Sequence, residues 1–324
     1  MADAAIGLLG VGGLGQEFAR LAHDAGNAVV AWSRTARAHD ASRGEEWLRA
    51  IEWASDPTSV VERCQLVCFA LPAHALPELI DAVGAAARGD HIWVHGCKGM
   101  TPSGQLAHEV MRGRTCVRQI VALGGPFSGL ELARHGQTAL VAASHFNCAV
   151  AALDDALFRP RLRLHRSDDL VGVEVAGAVR NAISLAAGMA DGLGEGVRSA
   201  LLARGLVESA RLGVALGGHA DTFVGLAGVG DLLAQRDATS SRNFALGQRL
   251  GRGEAAPAAL AAIATPVEGA ITAAAAVARG RSRGIELPLM QGIADVLEQK
   301  LTPAEMIETV LARDAGLGPG DSLV

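Results

Sequence analysis

The stretch that most constrains the fold lies near the N-terminus, "AAIGLLGVGGLGQEFARLAHDAG". An apolar run leads into Gly10-x-Gly12-x-x-Gly15, and helical spacing follows through Phe18, Leu21 and Ala22. A second β-rich run, "NAVVAWSR", comes next. Strand, glycine turn, helix and strand in this order form the Rossmann unit. Gly10 permits the tight turn, Gly12 lets backbone approach a pyrophosphate, and Gly15 lets helix and strand pack closely. The helix start then offers unpaired N–H groups to the anion. NAD-binding versions usually end the second strand with Asp or Glu, which accepts from the ribose 2′-OH. Here it ends Trp32-Ser33-Arg34-Thr35, with Arg37 nearby. Hydroxyls and a guanidinium suit a 2′-phosphate, so NADP is the preferred dinucleotide, with NAD possible.

More strand-like runs follow at "CQLVCFALP", "HIWVHGCKG", "QIVALGGP" and "TALVAAS", with helical segments between most of them. Continuous apolar strands alternating with helices predict a mostly parallel, doubly wound sheet covered on both faces. Such sheets bind ligands beyond the carboxyl ends of their strands, where Pro72 and Lys98 fall. Lys98 is prominent because only it and Lys300 are lysine among 29 cationic residues. His91 and His95 read as structural, and Cys97 as a small filler at a strand end.

With 324 residues, half of them hydrophobic, the chain suffices for two domains with cores of their own. A net charge of −5 without basic runs speaks against nucleic acid or an anionic membrane as partner. Five cysteines lacking a paired C-x-x-C spacing predict reduced thiols and no metal site. No charged leader and apolar segment precede the first strand, so the expected location is the cytoplasm. The apolar stretch 170–190 approaches the length of a bilayer span, but it contains Glu174, Arg180 and Asn181. A central Arg alone costs about 2.5–3.5 kcal/mol in a membrane, so this is predicted to be a core helix.

From about Asp168 the β pattern stops and helical stretches take over. They include "SALLARGLVESARLGVAL", "SRNFALGQRLGRG", "PVEGAITAAAAVARGRSRG" and "PLMQGIADVLEQ". The fold class is therefore α/β, with a Rossmann-like domain at 1–166 and an all-α substrate domain at 167–324. In "GVEVAGAVRNAISLAAGM" the guanidinium of Arg180 and the amide of Asn181 sit amid small apolar residues, which such burial tolerates only with partners. Asp231, after two glycines, can pair with a buried cation. Ser240 or Ser241 can cap a helix whose first turn holds Arg242 and Asn243, a ready anion site. Together these residues predict a polar pocket for a small anion.

In its ordered series "GVGGLG", "CKG", "GGPFSGLELARHGQTA", "VEVAGAVRNAISLAAGMADGLG", "TFVGLAGVGDLL", "SSRN" and "VEG", the chain resembles the bacterial NAD(P)-dependent glycerol-3-phosphate dehydrogenases. The likeness runs from Ala4 to about Lys300. It implies a soluble homodimeric enzyme of phospholipid synthesis that interconverts dihydroxyacetone phosphate and sn-glycerol 3-phosphate. By position, Gly10, Gly12, Gly13, Leu14 and Gly15 would line the cofactor, with Ser33 and Arg34 at the ribose phosphate. Pro72, Gly129, Arg242 and Glu268 would contact the rest of it, and Lys98 would touch cofactor and substrate. Gly125, Asn181, Asp231, Ser241, Arg242 and Asn243 match substrate-pocket positions.

The departures fall in that pocket. Arg180 stands where the family has the lysine taken to transfer the proton, and Gly125-Pro126-Phe127-Ser128-Gly129 places a phenyl ring where the family has a hydroxyl. An Asp-Asn after the Gly-Leu-Gly stretch is missing, "GEGVRSALLARG" is shorter than its counterpart, and Gln235 replaces a Thr. Arginine stays protonated in proteins, so Arg180 can polarise a carbonyl but is a poor proton shuttle. A lysine can be tuned towards neutral pH. Lys98 is thus the expected acid, Arg180 the electrostatic stabiliser and Asp231 its partner. The pocket changes leave open a different phosphorylated or phosphonate carbonyl substrate, or an NADPH-binding relative without turnover.

Overall fold

A computed structural model describes residues 5–34, 46–126, 138–157, 162–234 and 241–313. The chain divides into two compact units. The first takes its described residues from Met1–Cys97 and Ala107–Leu170, the second from Lys98–Leu106 and Val171–Val324. The short segment 98–106, which lies within the first half of the sequence, therefore packs with the helices of the second.

The first unit is built on an eight-stranded sheet of order β3-β2-β1-β4-β5-β6-β7-β8. The strands are β1 (Ile6–Leu9), β2 (Val29–Trp32), β3 (Glu52–Trp53), β4 (Leu66–Phe69), β5 (Ile92–His95), β6 (Gln119–Gly124), β7 (Thr138–Ala143) and β8 (Leu162–Ser167). β1 to β6 run parallel, β7 pairs antiparallel with β6, and β8 runs parallel to β7. Neighbouring residues of one strand enter opposite cores, which is why these runs are continuously apolar. Leu8, Val29, Cys68 and Val94 pack with Phe18 and Leu21 of the helix Gly13–Asp24 and with Leu153 of the helix Asn147–Leu157. Leu9, Val30, Val67 and Trp93 pack on the other face with Val60, Ile80 and Met111 of three further helices.

Two strands escape sequence reading. β3 is only two residues long, too short to carry a period. β8 alternates instead: Leu162 and Leu164 face the core while Arg163 and His165 are exposed. That alternation, followed by the arginine of Arg166, is the signature of a solvated edge strand.

The second unit is helical. Its central helix, Leu170–Met189, has the length and apolarity of a membrane span, yet 94% of that window is buried inside the protein. This is the core helix expected from its polar residues. Other helices run over Glu195–Ala215, Ala220–Val224, Asp231–Ala234, Arg242–Gly251, Ala256–Ala261, Glu268–Arg281, Pro288–Leu297 and Pro303–Ala312. The last starts at Thr302 with a reciprocal Thr302–Glu305 capping box, a legible signal in "TPAE". The glycine cluster "GLAGVG" forms a π-helical turn, Leu226–Gly230, between two short helices. The helix Arg242–Gly251 lies against the central helix backbone to backbone. A Cβ on Gly247 would come within 2.1 Å of the Leu185 carbonyl oxygen. Only glycine allows that approach, and it brings the start of one helix to the polar turn of the other.

Candidate active site

In the first unit the glycine turn has the expected geometry. Gly10 sits at φ +95°, and a Cβ on Gly15 would lie 2.0 Å from the Gly10 carbonyl oxygen, so helix and turn need both glycines. Gly12 caps the helix without any side-chain hydrogen bond, and its first turn holds no acidic residue. Gly12 and Gly13 are exposed, with nothing within 4 Å of where their Cβ atoms would be. The helix dipole and open N–H groups thus fit a pyrophosphate. Leu14 packs against the core and closely over Gly96, just after β5. β2 is followed by half-buried Ser33 and exposed Arg34, with no carboxylate. Pro72 precedes the short turn Ala73–Ala75 after β4, and Gly125 follows β6 at φ +98°.

The second unit gathers Lys98, Arg180, Asn181, Asp231, Ser241 and Asn243. Asp231, 1% exposed, follows the π-helical turn. Its Oδ2 receives Lys98 Nζ at 2.8 Å and lies 3.4 Å from Arg180 Nε. One carboxylate oxygen therefore faces two cations in a largely buried place. Burial drives the Lys98 ammonium pKa down from 10.5 to about 8, against the pull of Asp231, and the Arg180 charge pushes the same way as burial. Glu268 lies close enough to favour the charged form slightly.

Arg180 is 6% exposed. Its Nη2 donates to Asn181 Oδ1 at 2.8 Å, while neither its Nη1 nor its Nε makes a hydrogen bond among the described residues, Nε being only ion-paired with Asp231. A buried guanidinium N–H without a partner is costly, and such a donor is suited to an incoming oxygen. Asn181 Nδ2 donates to the main-chain carbonyl of Lys98. Asn243 Nδ2 donates to Asn181 Oδ1 at 3.0 Å, and Asn243 Oδ1 accepts from Gly269 N at 2.8 Å. Ser241 caps the helix Arg242–Gly251 by accepting from Phe244 N, and it also meets Ser184 Oγ at 3.0 Å.

Arg242 is not gathered with these groups. It is exposed, and its Nη1 donates to Thr265 Oγ1 at 2.7 Å. Glu268 begins the helix Glu268–Arg281 next to Gly269. Gly129, Arg37, Phe127, Ser128, Gln235 and Ser240 lie outside the described residues. Two contributors were not read from the sequence. Ser184 is one helical turn beyond Arg180, a spacing that would have pointed to it. Thr272, fully buried among alanines, accepts from Met100 N at 3.4 Å, two residues beyond Lys98. Among the described residues no group of His, Cys, Asp and Glu could hold a metal, and all five cysteines are free thiols.

A Rossmann-like sheet and a cation-rich polar cluster on buried helices define a Rossmann-type dehydrogenase acting on a CH–OH group. Residues 5–149 match the model of the NAD-dependent glycerol-3-phosphate dehydrogenase N-terminus, and residues 169–308 match that of its C-terminus. The chain belongs to this family. It is 40% identical over 253 residues to the glycerol-3-phosphate dehydrogenase [NAD(P)+] of Methylibium petroleiphilum, covering 77% of this chain and 75% of the relative. With that of Synechococcus elongatus it shares 34% over 95% of this chain and 96% of the other. A solved glycerol-3-phosphate dehydrogenase from Coxiella burnetii superposes with a TM-score of 0.88 at 29% identity, covering 96% of this chain and 99% of that one.

Proposed function

We propose that the protein reduces dihydroxyacetone phosphate to sn-glycerol 3-phosphate, reversibly, with NADPH preferred and NADH usable. The observation that carries this is the buried trio of Lys98, Arg180 and Asp231, with the guanidinium Nη1 left for a substrate oxygen. Residues 1–166 act as the dinucleotide-binding domain and 167–324 as the substrate domain, the latter joined by the segment that begins at Lys98. The glycine turn Gly10–Gly15 holds the pyrophosphate, and Ser33 and Arg34 receive the 2′-phosphate.

The dinucleotide supplies the hydride for the carbonyl carbon. Arg180 Nη1 donates to the carbonyl oxygen and stabilises the charge that grows there, the kind of contribution that exceeds most others in catalysis. Lys98, protonated below about pH 8, gives its proton to the alkoxide and recovers it from solvent. Asp231 keeps both cations in place, while burial and the Arg180 charge bring the ammonium to an acid near neutral pH. Arg242, which rests on Thr265 apart from these groups, would have to swing from there to hold the phosphate. Free thiols fit a cytoplasmic enzyme, and the family likeness supports a homodimer. Arg180, in place of the family lysine, favours one second reading: the same chemistry on a related phosphorylated or phosphonate carbonyl compound.

The test is NADPH oxidation by the wild-type protein and by Lys98→Ala, against dihydroxyacetone phosphate and a panel of phosphorylated ketones. Turnover by the wild type, lost in Lys98→Ala while NADPH still quenches or enhances its binding signal equally, is the expected result. An unchanged rate in Lys98→Ala overturns the assignment of the acid. Activity on another panel member alone moves the substrate to the second reading.

A further inference from the structure

Ser184, one helical turn beyond Arg180, has no part in the chemistry above. We propose that Ser184 is a positioning residue: it donates its hydroxyl hydrogen to Ser241 Oγ and so leaves the Ser241 hydrogen for a phosphate oxygen of the substrate. The inference rests on the functional reading above and deepens it.

The packing of two helices puts these hydroxyls together. Arg180, Ser184 and Gly188 follow one another every fourth residue along the helix Leu170–Met189, so they share one face. A Cβ on Gly188 would lie 2.2 Å from the Phe244 carbonyl oxygen, and one on Gly247 would lie 2.1 Å from that of Leu185. The helix Arg242–Gly251 therefore runs hard against this face, and position 184 takes a short side chain. Ser184 Oγ lies 3.0 Å from Ser241 Oγ, and Asn181 Oδ1 lies 3.0 Å from Asn243 Nδ2. One link of hydroxyls and one of amides thus join the same two helices. Ser184 and Ser241 are 4% and 3% exposed.

A hydroxyl carries one hydrogen and two lone pairs. One lone pair of Ser241 takes the Phe244 N–H at 3.3 Å, which caps the helix. The contact between the two hydroxyls uses a single hydrogen, and either residue could supply it. If Ser241 did, the Ser184 hydrogen would be stranded in the interior, because Ser241 is the only hydrogen-bond partner of Ser184 among the described residues. A buried donor without an acceptor is costly. With Ser184 as donor, both Ser241 lone pairs are filled and the hydrogen left over belongs to Ser241. It then sits at a helix start, where open N–H groups and the dipole favour an anion. The lone pairs left empty on Ser184 are the smaller loss, since acceptors tolerate it better than donors. Ser241 becomes a donor only, and the bond it receives strengthens the bond it gives. A phosphate oxygen, which only accepts and carries charge, is the matching group.

Ser184→Ala removes one oxygen and keeps the helix contact. Ser241 then has a lone pair to spare, and its hydroxyl is neither directed nor polarised. KM for dihydroxyacetone phosphate should rise about fivefold, the scale of one hydrogen bond. The kcat should stay within about twofold, since the phosphate is held alike in ground and transition state. In a Ser241→Gly background, which keeps a helix cap without the hydroxyl, the same change should move KM by less than about twofold, because Ser184 has nothing left to direct. A merely structural role would cost the same in both backgrounds, and that result overturns the proposal. An unchanged KM in the single variant does so too, as does a kcat that falls while KM holds. A wild type inert on this ketone refutes the substrate reading alone. Titration calorimetry with inorganic phosphate then decides the present point: binding about fivefold weaker in Ser184→Ala supports it. Equal binding by the two proteins, or none by the wild type, overturns it. If Ser184→Ala does not fold, Ser184→Cys, similar in size but a weak donor, is measured in the same way.

Discussion

Removing the Arg180 charge should make Lys98 a weaker acid. In Arg180→Gln the ammonium keeps Asp231 at 2.8 Å and loses the cation that shares the same carboxylate oxygen from 3.4 Å. The two nitrogens thus lie no more than about 6 Å apart, and at an effective dielectric constant of about 20 their repulsion is about 3 kcal/mol. That corresponds to about two pH units, and water entering the space of the guanidinium reduces it towards one. The Lys98 pKa, about 8 in the wild type, should therefore rise to about 9–10. Reduction needs the protonated amine, so its rate should fall as pH rises through about 8 in the wild type and only a pH unit or two higher in the variant. The assay is kcat/KM for dihydroxyacetone phosphate from pH 6 to 10.5 with NADPH saturating, since this ratio reports free-enzyme groups. Loss of the guanidinium donor should also lower the plateau about 10²-fold, but the limb is read from its position and not its height. Asp231→Asn supplies the opposite sign, because it removes the anion that holds the proton on Lys98. An alkaline limb that stays put or moves down in Arg180→Gln would refute the electrostatic coupling and with it the role of Lys98 as acid.

Two further outcomes concern stability. Glu208, 5% exposed, accepts from Leu289 N at 2.6 Å and Met290 N at 3.1 Å, and burial raises its pKa from 4.5 to about 7. The unfolded chain then loses this proton first, so the group's contribution is complete below about pH 4.5 and declines by about 3 kcal/mol as pH rises to about 7. Glu208→Gln cannot titrate, and the stability difference between the two proteins in urea should shrink over that window. Far-ultraviolet circular dichroism is the probe, because all four tryptophans (Trp32, Trp47, Trp53 and Trp93) lie in the sheet-bearing unit; a pH-independent difference would mean that Glu208 stays ionised in the fold. Gly247→Ala drives a methyl against the Leu185 carbonyl and should cost about 1–3 kcal/mol, or about 2–4 °C of Tm for each kcal/mol. Because the same helix carries Asn243, kcat should fall with it, and a calorimetric Tm equal to the wild type would contradict the close packing.

The glycine turn, the strand runs and the polar pair in an apolar helix were legible because each is a local pattern with one economical explanation. Residues at the strand carboxyl ends, Lys98 among them, followed from a general rule about parallel sheets. Local pattern could not reveal partners. From sequence, Arg180 and Asp231 were the expected pair, yet Lys98 is the nearer cation at Asp231. Arg242 and Asn243, adjacent in "SSRN", part company in space: one is exposed on Thr265 and the other is buried between Asn181 and Gly269. Ser184, Thr272 and Glu208 carried no signal strong enough to separate them from their neighbours.

Composition and periodicity alone determined that an α/β sheet precedes a helical unit, because burying apolar strands and helical faces leaves few arrangements. They also determined that a glycine turn is followed at once by a helix start, since the two are contiguous in the chain. Only the tertiary structure decided which buried charges neutralise one another and which donor is left over. Those are sums over residues dozens to more than a hundred positions apart, and a low-dielectric interior makes the outcome depend on ångströms.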